Sequence, residues 1–579
     1  MTDSAPTPAH TFVADRLLHA TEARLTAGLS PASALGAYLD WATHLANSPG
    51  KQGELFKKAF RKSVKFNHHV AEMLSGNDEE PCIQPLPQDH RFRGEEWQKP
   101  PFSIYYQAFL LLQQWWHNAT TGVEGVSSHH QDMVAFSARQ ALDVFSPSNY
   151  LLTNPEVLKT TLDSAGMNLV QGMRNFFEDW ERNVLGQPPV GMEKFRVGKE
   201  VAITPGKVIY RNRLIELVQY APRTPTVHPE PILIVPAWIM KNYILDLSPD
   251  NSMVKFLIDH GHTVFMISWK NPTEEDRDLG MDDYLELGVM DALQAVRAIV
   301  PDKKVHAVGY CIGGTLLSIA AAALGRDRKD WLASVTLFAA QTDFTEAGEL
   351  MLFIDQSQVS YLEDLMWDKG YLDTRQMAGA FQLLRSNDLI WSRIVHDYLM
   401  GERTPMIDLM AWNADATRMP YRMHSEYLRE LFLNNALAAG HYPVGDKPVA
   451  LTDIRVPIFC VGAETDHVAP WTSVYKINLL SDTDVTFLLT SGGHNAGIIS
   501  EPGHPGRHFR VAEKHEGEPY VGPQQWFDTM PVNEGSWWLT WQRWLVAHSG
   551  KQGEIPGVGN IKAGYAPLGD APGTYVLQK

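Results

Sequence analysis

The stretch HAVGYCIGGT, residues 306 to 315, decides how this chain reads. An apolar run ending at Gly309 enters the pattern Gly309-x-Cys311-x-Gly313 and leaves it as a helix-like segment. A strand-to-helix bend of this kind holds its central residue in strained backbone angles, and small neighbours let the crossing chains pass. The central side chain then stands clear at a helix N-terminus, where the dipole favours a thiolate. The next amide, that of Ile312, points to where a negatively charged oxygen would form. Bends of this type usually carry serine, so the sulfur itself asks for an explanation.

Taken alone, Cys311 also fits a buried apolar cysteine behind a glycine turn. Two stretches further along favour a nucleophile. VPIFCVGAETDHVAP ends a strand-like run at Gly462 and offers Asp466, and VTFLLTSGGHNAG ends another near Thr490 and offers His494. Nucleophile, acid and histidine, each after a successive strand, follow the chain order of the α/β-hydrolase fold. The candidate catalytic set is therefore Cys311, Asp466 and His494. Glu464 and His467 compete for the acid and base roles but sit less well relative to the strand ends. Cys460 lies inside an apolar strand and reads as core, and Cys82 lies in the Pro-rich loop EEPCIQPLPQDHRF with no base beside it. His129, His130 and His424 read as packing or surface residues. Opposite the bend, PILIVPAWIMKNYILDL follows a strand where a second oxyanion donor is expected. The backbone amide of Trp238 is the candidate, with Ala237 as the alternative.

Outward from the site, PILIVP, TVFMIS, KVHAVG, SVTLFA, VPIFCVG and VTFLL are short continuous apolar runs, as expected of strands buried on both faces. RLIELVQY alternates as a half-buried strand does. Between strands, Leu285, Val289, Ala292, Leu293, Val296 and Ile299 fall on one helical face. Strands alternating with helices predict a doubly wound, mostly parallel α/β sheet over residues 196–579. The connection from SVTLFA to VPIFCVG is too long for an ordinary crossover. Its aromatic and Met-rich stretch from about 345 to 445 is expected to form an inserted cap over the C-terminal edge of the sheet. Residues 1–195 read as a helical N-terminal domain, with SPSN and TNP as turn and cap signals. The Gly- and Pro-rich tail after Ser549 is expected to run over the surface.

Composition sets the outer limits. The chain has 579 residues, 44% of them hydrophobic, with 17 Trp and 23 Phe, which excludes a disordered or fibrous protein. A net charge of −17 argues against indiscriminate nucleic-acid binding. The opening MTDSAPTPAH carries no signal-like apolar region, and no apolar run reaches the ~18 residues that span a bilayer. The three cysteines are far apart, so neither a disulfide framework nor a metal site is expected, and a reducing cytoplasm fits.

Sulfur has a chemical rationale. A thiolate attacking an oxygen ester makes a higher-energy thioester, whereas attack on another thioester is close to thermoneutral. A cysteine at the bend therefore suits an enzyme whose donor is an acyl thioester and whose product is an ester, because the acyl group stays activated until an alcohol accepts it. Water must be excluded meanwhile, which is a role for a large apolar cap.

At this point the residues resemble a known family. GYCIGGT, ETDHVAPW and SGGHNAGI look like the nucleophile, acid and histidine boxes of the polyhydroxyalkanoate synthases. DVFSPSNYLLTNPEVL, the long stretch opening PILIVPAWIM, AWNADATRMPYRMHSEYLRELFLNNAL and the end APGTYVLQK resemble further signatures, so the likeness spans roughly residues 90 to 579. It implies polymerisation of (R)-3-hydroxyacyl-CoA with release of CoA, the polyester growing as a thioester on the cysteine and no cofactor taking part. It further implies a homodimer on polymer granules in the bacterial cytoplasm. The length resembles the single-subunit class I type, with 3-hydroxybutyryl-CoA as substrate. There are two departures. VPAWIM stands where members commonly read VPPWIN, so that Ala237 and Met240 differ, and Asn495 occupies a position usually apolar. A thioesterase or polyester depolymerase on the same fold is the alternative enzyme, and a granule-binding protein with a decayed site is the non-catalytic one.

Overall fold

The computed structural model of the protein describes residues 12–26, 28–75, 80–374 and 390–579. The opening MTDSAPTPAH and the middle of the expected cap, 375–389, lie outside the described residues.

An eleven-stranded sheet organises the larger unit. Its strands are β1 (Gly206–Arg211), β2 (Ile215–Tyr220), β3 (Ile232–Val235), β4 (Val264–Trp269), β5 (Val305–Tyr310), β6 (Leu332–Phe338), β7 (Ile458–Ala463), β8 (Val485–Thr490), β9 (His508–Lys514), β10 (Asn533–Glu534) and β11 (Gly569–Asp570). They lie in the order β10-β9-β8-β7-β6-β5-β3-β4-β2-β1-β11. From β4 through β3, β5, β6 and β7 to β8 every neighbouring pair is parallel, and the flanking pairs are antiparallel. The parallel strands are the continuous apolar runs, and β3, β4, β5, β7 and β8 are buried along their whole length. This is the α/β-hydrolase architecture expected from the sequence.

Register brings the functional loops to one edge. Val235 at the end of β3 pairs with Gly309 of β5, Tyr310 pairs with Phe338 at the end of β6, and Ala463 pairs with Thr490 at the ends of β7 and β8. The bend at Cys311, the acid loop and the histidine loop thus leave the C-terminal ends of strands in the same parallel array, as open α/β sheets place their sites.

Beneath them, the helix Trp538–Ala547 packs its aromatic face on the sheet. Trp537 and Trp541 meet Phe338 edge-on at 5.1 and 4.9 Å between ring centres. Burying a side chain such as Phe338 contributes roughly 1.5–3 kcal/mol. The indole N–H groups are also satisfied: Trp541 donates to the Thr336 hydroxyl, Trp537 to the Gly497 carbonyl and Trp538 to the Ile498 carbonyl.

The chain divides into two compact units. One joins Met1–Gly28, Gly191–Gln376 and Met406–Lys579, and holds the sheet. The helix Val13–Leu25 belongs to it, with Ala23 packed on Tyr361 and Leu365 of the helix Gln356–Lys369, and His19 paired with Asp364. The other unit joins Leu29–Val190 and Met377–Pro405. Its helices start where the sequence places caps. Asn154, of the TNP signal, accepts from the amides of Glu156 and Val157, and SPSN forms the short turn Pro147–Asn149. Within that unit Asp179 binds Arg393, Tyr398 and Arg403, and Asn168 and Asn175 donate to the carbonyls of Leu399 and Asp397.

Candidate active site

Cys311 sits at φ +53° and ψ −128°, a conformation that side-chain-bearing residues avoid. Such a residue costs on the order of 1–3 kcal/mol and persists only where its surroundings enforce it. Here they do. Its amide donates to the Phe338 carbonyl at 2.8 Å, and its carbonyl accepts from Gly314 and Thr315 in the first turn of the helix Ile312–Arg326. The neighbouring glycines are needed for space. A Cβ on Gly313 would lie 2.4 Å from the Val235 carbonyl oxygen, and one on Gly309 would lie 2.4 Å from the Gly314 Cα.

His494 and Asp466 meet across two loops. His494 Nδ1 lies 2.7 Å from Asp466 Oδ2. The other oxygen, Oδ1, accepts from the amides of Val468 and Ala469 at 2.8 and 2.9 Å. The carboxylate is thereby turned toward the imidazole, and its side chain is fully buried. With Nδ1 engaged, Nε2 is the nitrogen left for the thiol. Burial opposes a positive charge on His494, but the Asp466 carboxylate and the nearby Cys311 outweigh it and hold the imidazole well above its usual 6.5. Of the predicted residues, His494 and Asp466 are joined by a hydrogen bond, and Cys311 lies near enough for its charge to act on the imidazole.

The histidine loop is fixed from below. It contains Gly492 at φ +99°, and its carbonyls at Gly497 and Ile498 are the ones held by Trp537 and Trp538. On its inner side Tyr310, the residue before the nucleophile, stacks on His494 with ring centres 5.7 Å apart. The Tyr310 hydroxyl donates to Asn495 Oδ1 at 2.5 Å.

Opposite the bend, the loop after β3 carries Ala237 and Trp238. Gly313 packs directly on Val235 and Pro236, so this loop borders the first turn that begins with Ile312. The first amides of a helix lack intrahelical acceptors, which leaves that of Ile312 available. Three carbonyls of the loop are tied down: Pro236 by the Trp269 indole, Trp238 by the Thr417 hydroxyl, and Lys241 by the Trp412 indole. Met240 also forms a β-bridge with Ala416. Residues 412–417 of the expected cap thus cover the oxyanion loop. Tyr427, from the same segment, lies close enough to Cys311 to sense its charge, although burial is the main cause that pushes its phenol up.

The competing residues have other partners. Glu464 binds Arg510 and His508. Cys460 is buried in β7, and burial pushes its thiol far above the usual range. Cys82 is buried, with its amide donating to Gln107. His130 pairs with Asp40, and His424 is buried, its pKa lowered by burial to about 3. Sequence reading missed the Val468 and Ala469 amides, although an Asp two and three residues before them is a turn signal. It also missed Tyr310 and Tyr427, which no local pattern marks.

Three comparisons bear on this arrangement. Residues 88–257 match the family model described as poly-beta-hydroxybutyrate polymerase (PhaC) N-terminus, residues 9–51 match poly-beta-hydroxybutyrate polymerase N terminal, and residues 230–499 match the alpha/beta hydrolase fold. The poly(3-hydroxyalkanoate) polymerase of Methylorubrum extorquens is 39% identical over 537 residues, spanning 90% of this chain and 87% of the relative. The poly(3-hydroxyalkanoate) polymerase subunit PhaC of Cupriavidus necator is 36% identical over 499 residues, spanning 85% and 83%. Among solved structures, the monoacylglycerol lipase of Paleococcus ferrophilus covers 58% of this chain and 99% of its own at 12% identity, with a TM-score of 0.31. That score is too low to carry an argument.

Proposed function

The chain belongs to the poly(3-hydroxyalkanoate) polymerase family, and on that premise we propose that it builds polyester from (R)-3-hydroxyacyl-CoA through a thioester on Cys311, with 3-hydroxybutyryl-CoA as the monomer. The observation that carries this reading is the strained nucleophile position at Cys311 with the His494–Asp466 pair beside it.

His494 Nε2 takes the thiol proton, and the Cys311 sulfur attacks the thioester carbonyl of the substrate. The amides of Ile312 and Trp238 receive the negative oxygen. The C–S bond to CoA breaks, CoA leaves as a thiol with the proton from His494, and the acyl group remains on Cys311. In the second half-reaction His494 takes the proton of a 3-hydroxyl group. The alkoxide attacks the acyl-cysteine, an ester forms, and the Cys311 thiolate is released and reprotonated by His494. Asp466 keeps the imidazole in the tautomer and orientation both halves need. Each thioester consumed replaces one of similar energy, so polymer growth is driven by the final ester. No cofactor enters this scheme.

The same reading places the catalytic domain in the sheet unit, which also takes in the helix Val13–Leu25, and the helical domain in Leu29–Val190, with residues 412–417 covering the oxyanion loop against water. A homodimer, attachment to polymer granules and a cytoplasmic location follow from the family resemblance alone. Among the described residues no helix is long and apolar enough to cross a membrane.

Incubation with 3-hydroxybutyryl-CoA and thiol titration of released CoA tests the proposal. Release accompanied by insoluble polyester supports it. Release with only free hydroxy acid as product would favour the thioesterase reading, and no release would sink the polymerase reading.

A further inference from the structure

We propose that Tyr310 and Asn495 form a positioning pair that sets the orientation of the His494 imidazole. The role rests on His494 acting as the base in the reaction proposed above.

Tyr310 ends β5, one residue before Cys311, and is almost fully buried. A buried phenol needs a hydrogen-bond partner. Burial, with added repulsion from Cys311 and Asp466, pushes this phenol well above its usual range, so its hydroxyl stays protonated and donates. The acceptor is Asn495 Oδ1 at 2.5 Å, on the residue that follows His494, with a longer contact of 3.5 Å to the His494 carbonyl. The Tyr310 ring lies against the imidazole with an interplanar angle of 28°. One side chain therefore lies against the ring of His494 and holds the side chain of the residue that follows it.

This grip complements two others. Asp466 holds Nδ1, which fixes one point of the imidazole but leaves the ring able to pivot about that bond. Trp537 and Trp538 hold the loop at Gly497 and Ile498, past the histidine, and the Asn495 carbonyl accepts from the amides of Ile498 and Ile499. The side chain of Asn495, next along the chain from His494, is secured by the Tyr310 hydroxyl. Since Tyr310 is bonded covalently to Cys311, base and nucleophile are referenced to the same strand end. The distance between Nε2 and the sulfur then no longer depends on a glycine-containing loop alone.

The pair is tested with Tyr310→Phe, Asn495→Leu and the double variant, measuring CoA release from 3-hydroxybutyryl-CoA across pH together with the melting temperature. A loosened imidazole loses part of the Cys311 contact that helps hold its pKa up, so the acid limb of the profile, set by His494 as the base, moves to lower pH. Each single variant is expected to lose about five- to ten-fold in kcat, the equivalent of one net hydrogen bond, with KM unchanged. The double variant leaves neither polar group unpaired. It should regain the melting temperature of the parent protein while its acid limb stays displaced. If the double variant restores the limb along with the melting temperature, the contact is structural only and the proposal is overturned. Wild-type kcat and limbs in both single variants overturn it equally. His494→Ala separates the two levels: full activity in that variant removes the base assignment and the pair's role with it, whereas loss of activity there with unaltered Tyr310 and Asn495 variants removes only the pair's role.

Discussion

Asp466 meets His494 through one carboxylate oxygen, Oδ2 at 2.7 Å from Nδ1, while its other oxygen is held by the amides of Val468 and Ala469. The carboxylate cannot turn away without giving up both amides, so its hold on the Nδ1 side of the imidazole is fixed. Replacing Asp466 by Asn removes the charge and lets an amide group present either face. Asp466→Asn is expected to form the acyl-enzyme but to elongate about 10²–10⁴-fold more slowly, the usual scale of lost acid–base assistance. Since the carboxylate helps hold the His494 pKa well above 6.5, the acid limb of the rate profile, set by this base, should also move to lower pH. Single-turnover acylation compared with steady-state CoA release measures the difference, and normal elongation would remove Asp466 from the mechanism.

Gly313 shows how tightly the bend and the oxyanion loop are packed. A methyl group there would meet the Val235 and Pro236 carbonyl oxygens at 2.4 and 2.5 Å, and backbone atoms cannot rotate aside. Gly313→Ala should push the loop carrying Trp238 away from Ile312 and lower kcat by about 10²–10³-fold, comparable to losing one oxyanion donor. Circular dichroism distinguishes this from unfolding. A variant with wild-type kcat would mean that the loop is not part of the oxyanion site.

Cys311→Ser tests the argument about sulfur. A serine ester is no longer activated for transfer, so polymer formation should nearly cease. If the protein were instead a hydrolase, the serine variant would keep turning over its thioester or ester substrate.

Acid stability provides a check that does not depend on catalysis. Burial keeps His262, His306 and His424 neutral down to about 3, 4 and 3, while an unfolded histidine titrates near 6.5. Below pH 6.5 the unfolded chain binds protons that the folded chain refuses. Stability therefore falls as pH drops from 6.5 toward 4, by about 1.4 kcal/mol per pH unit for each such histidine. Above 6.5 these residues contribute no pH dependence. Urea unfolding at pH 7.5 and 5.5 should show the loss, and His424→Leu should reduce it. An unchanged difference in that variant would contradict the assignment of His424 as buried and neutral.

Much of this arrangement was legible in the sequence. The parallel strands are buried on both faces, so their residues form unbroken apolar runs, and the Gly-x-Cys-x-Gly bend is a local pattern with a mechanical cause. Asp466 and His494 could be placed because each follows a strand end. What remained hidden arises between distant segments. Asn495 stood out only as a departure, and its partner Tyr310 is 185 residues away. Thr417, Trp412 and Tyr427 reach the site from the long β6–β7 connection, where no periodicity marks which residues turn inward. The two-residue strand Gly569–Asp570, paired with β1, lies in the tail expected to be irregular, and it is too short to leave an alternation.

Everything in the proposed mechanism turns on the growing acyl chain being held on the sulfur of Cys311. The most direct test is to mix the enzyme with radiolabelled 3-hydroxybutyryl-CoA, quench in acid within the first turnovers, digest, and locate the label by peptide mass spectrometry. The expected result is an acid-stable, hydroxylamine-sensitive label on the peptide containing Cys311, absent from Cys311→Ala. Label attached to any other residue, or polymer made by Cys311→Ala, would contradict it.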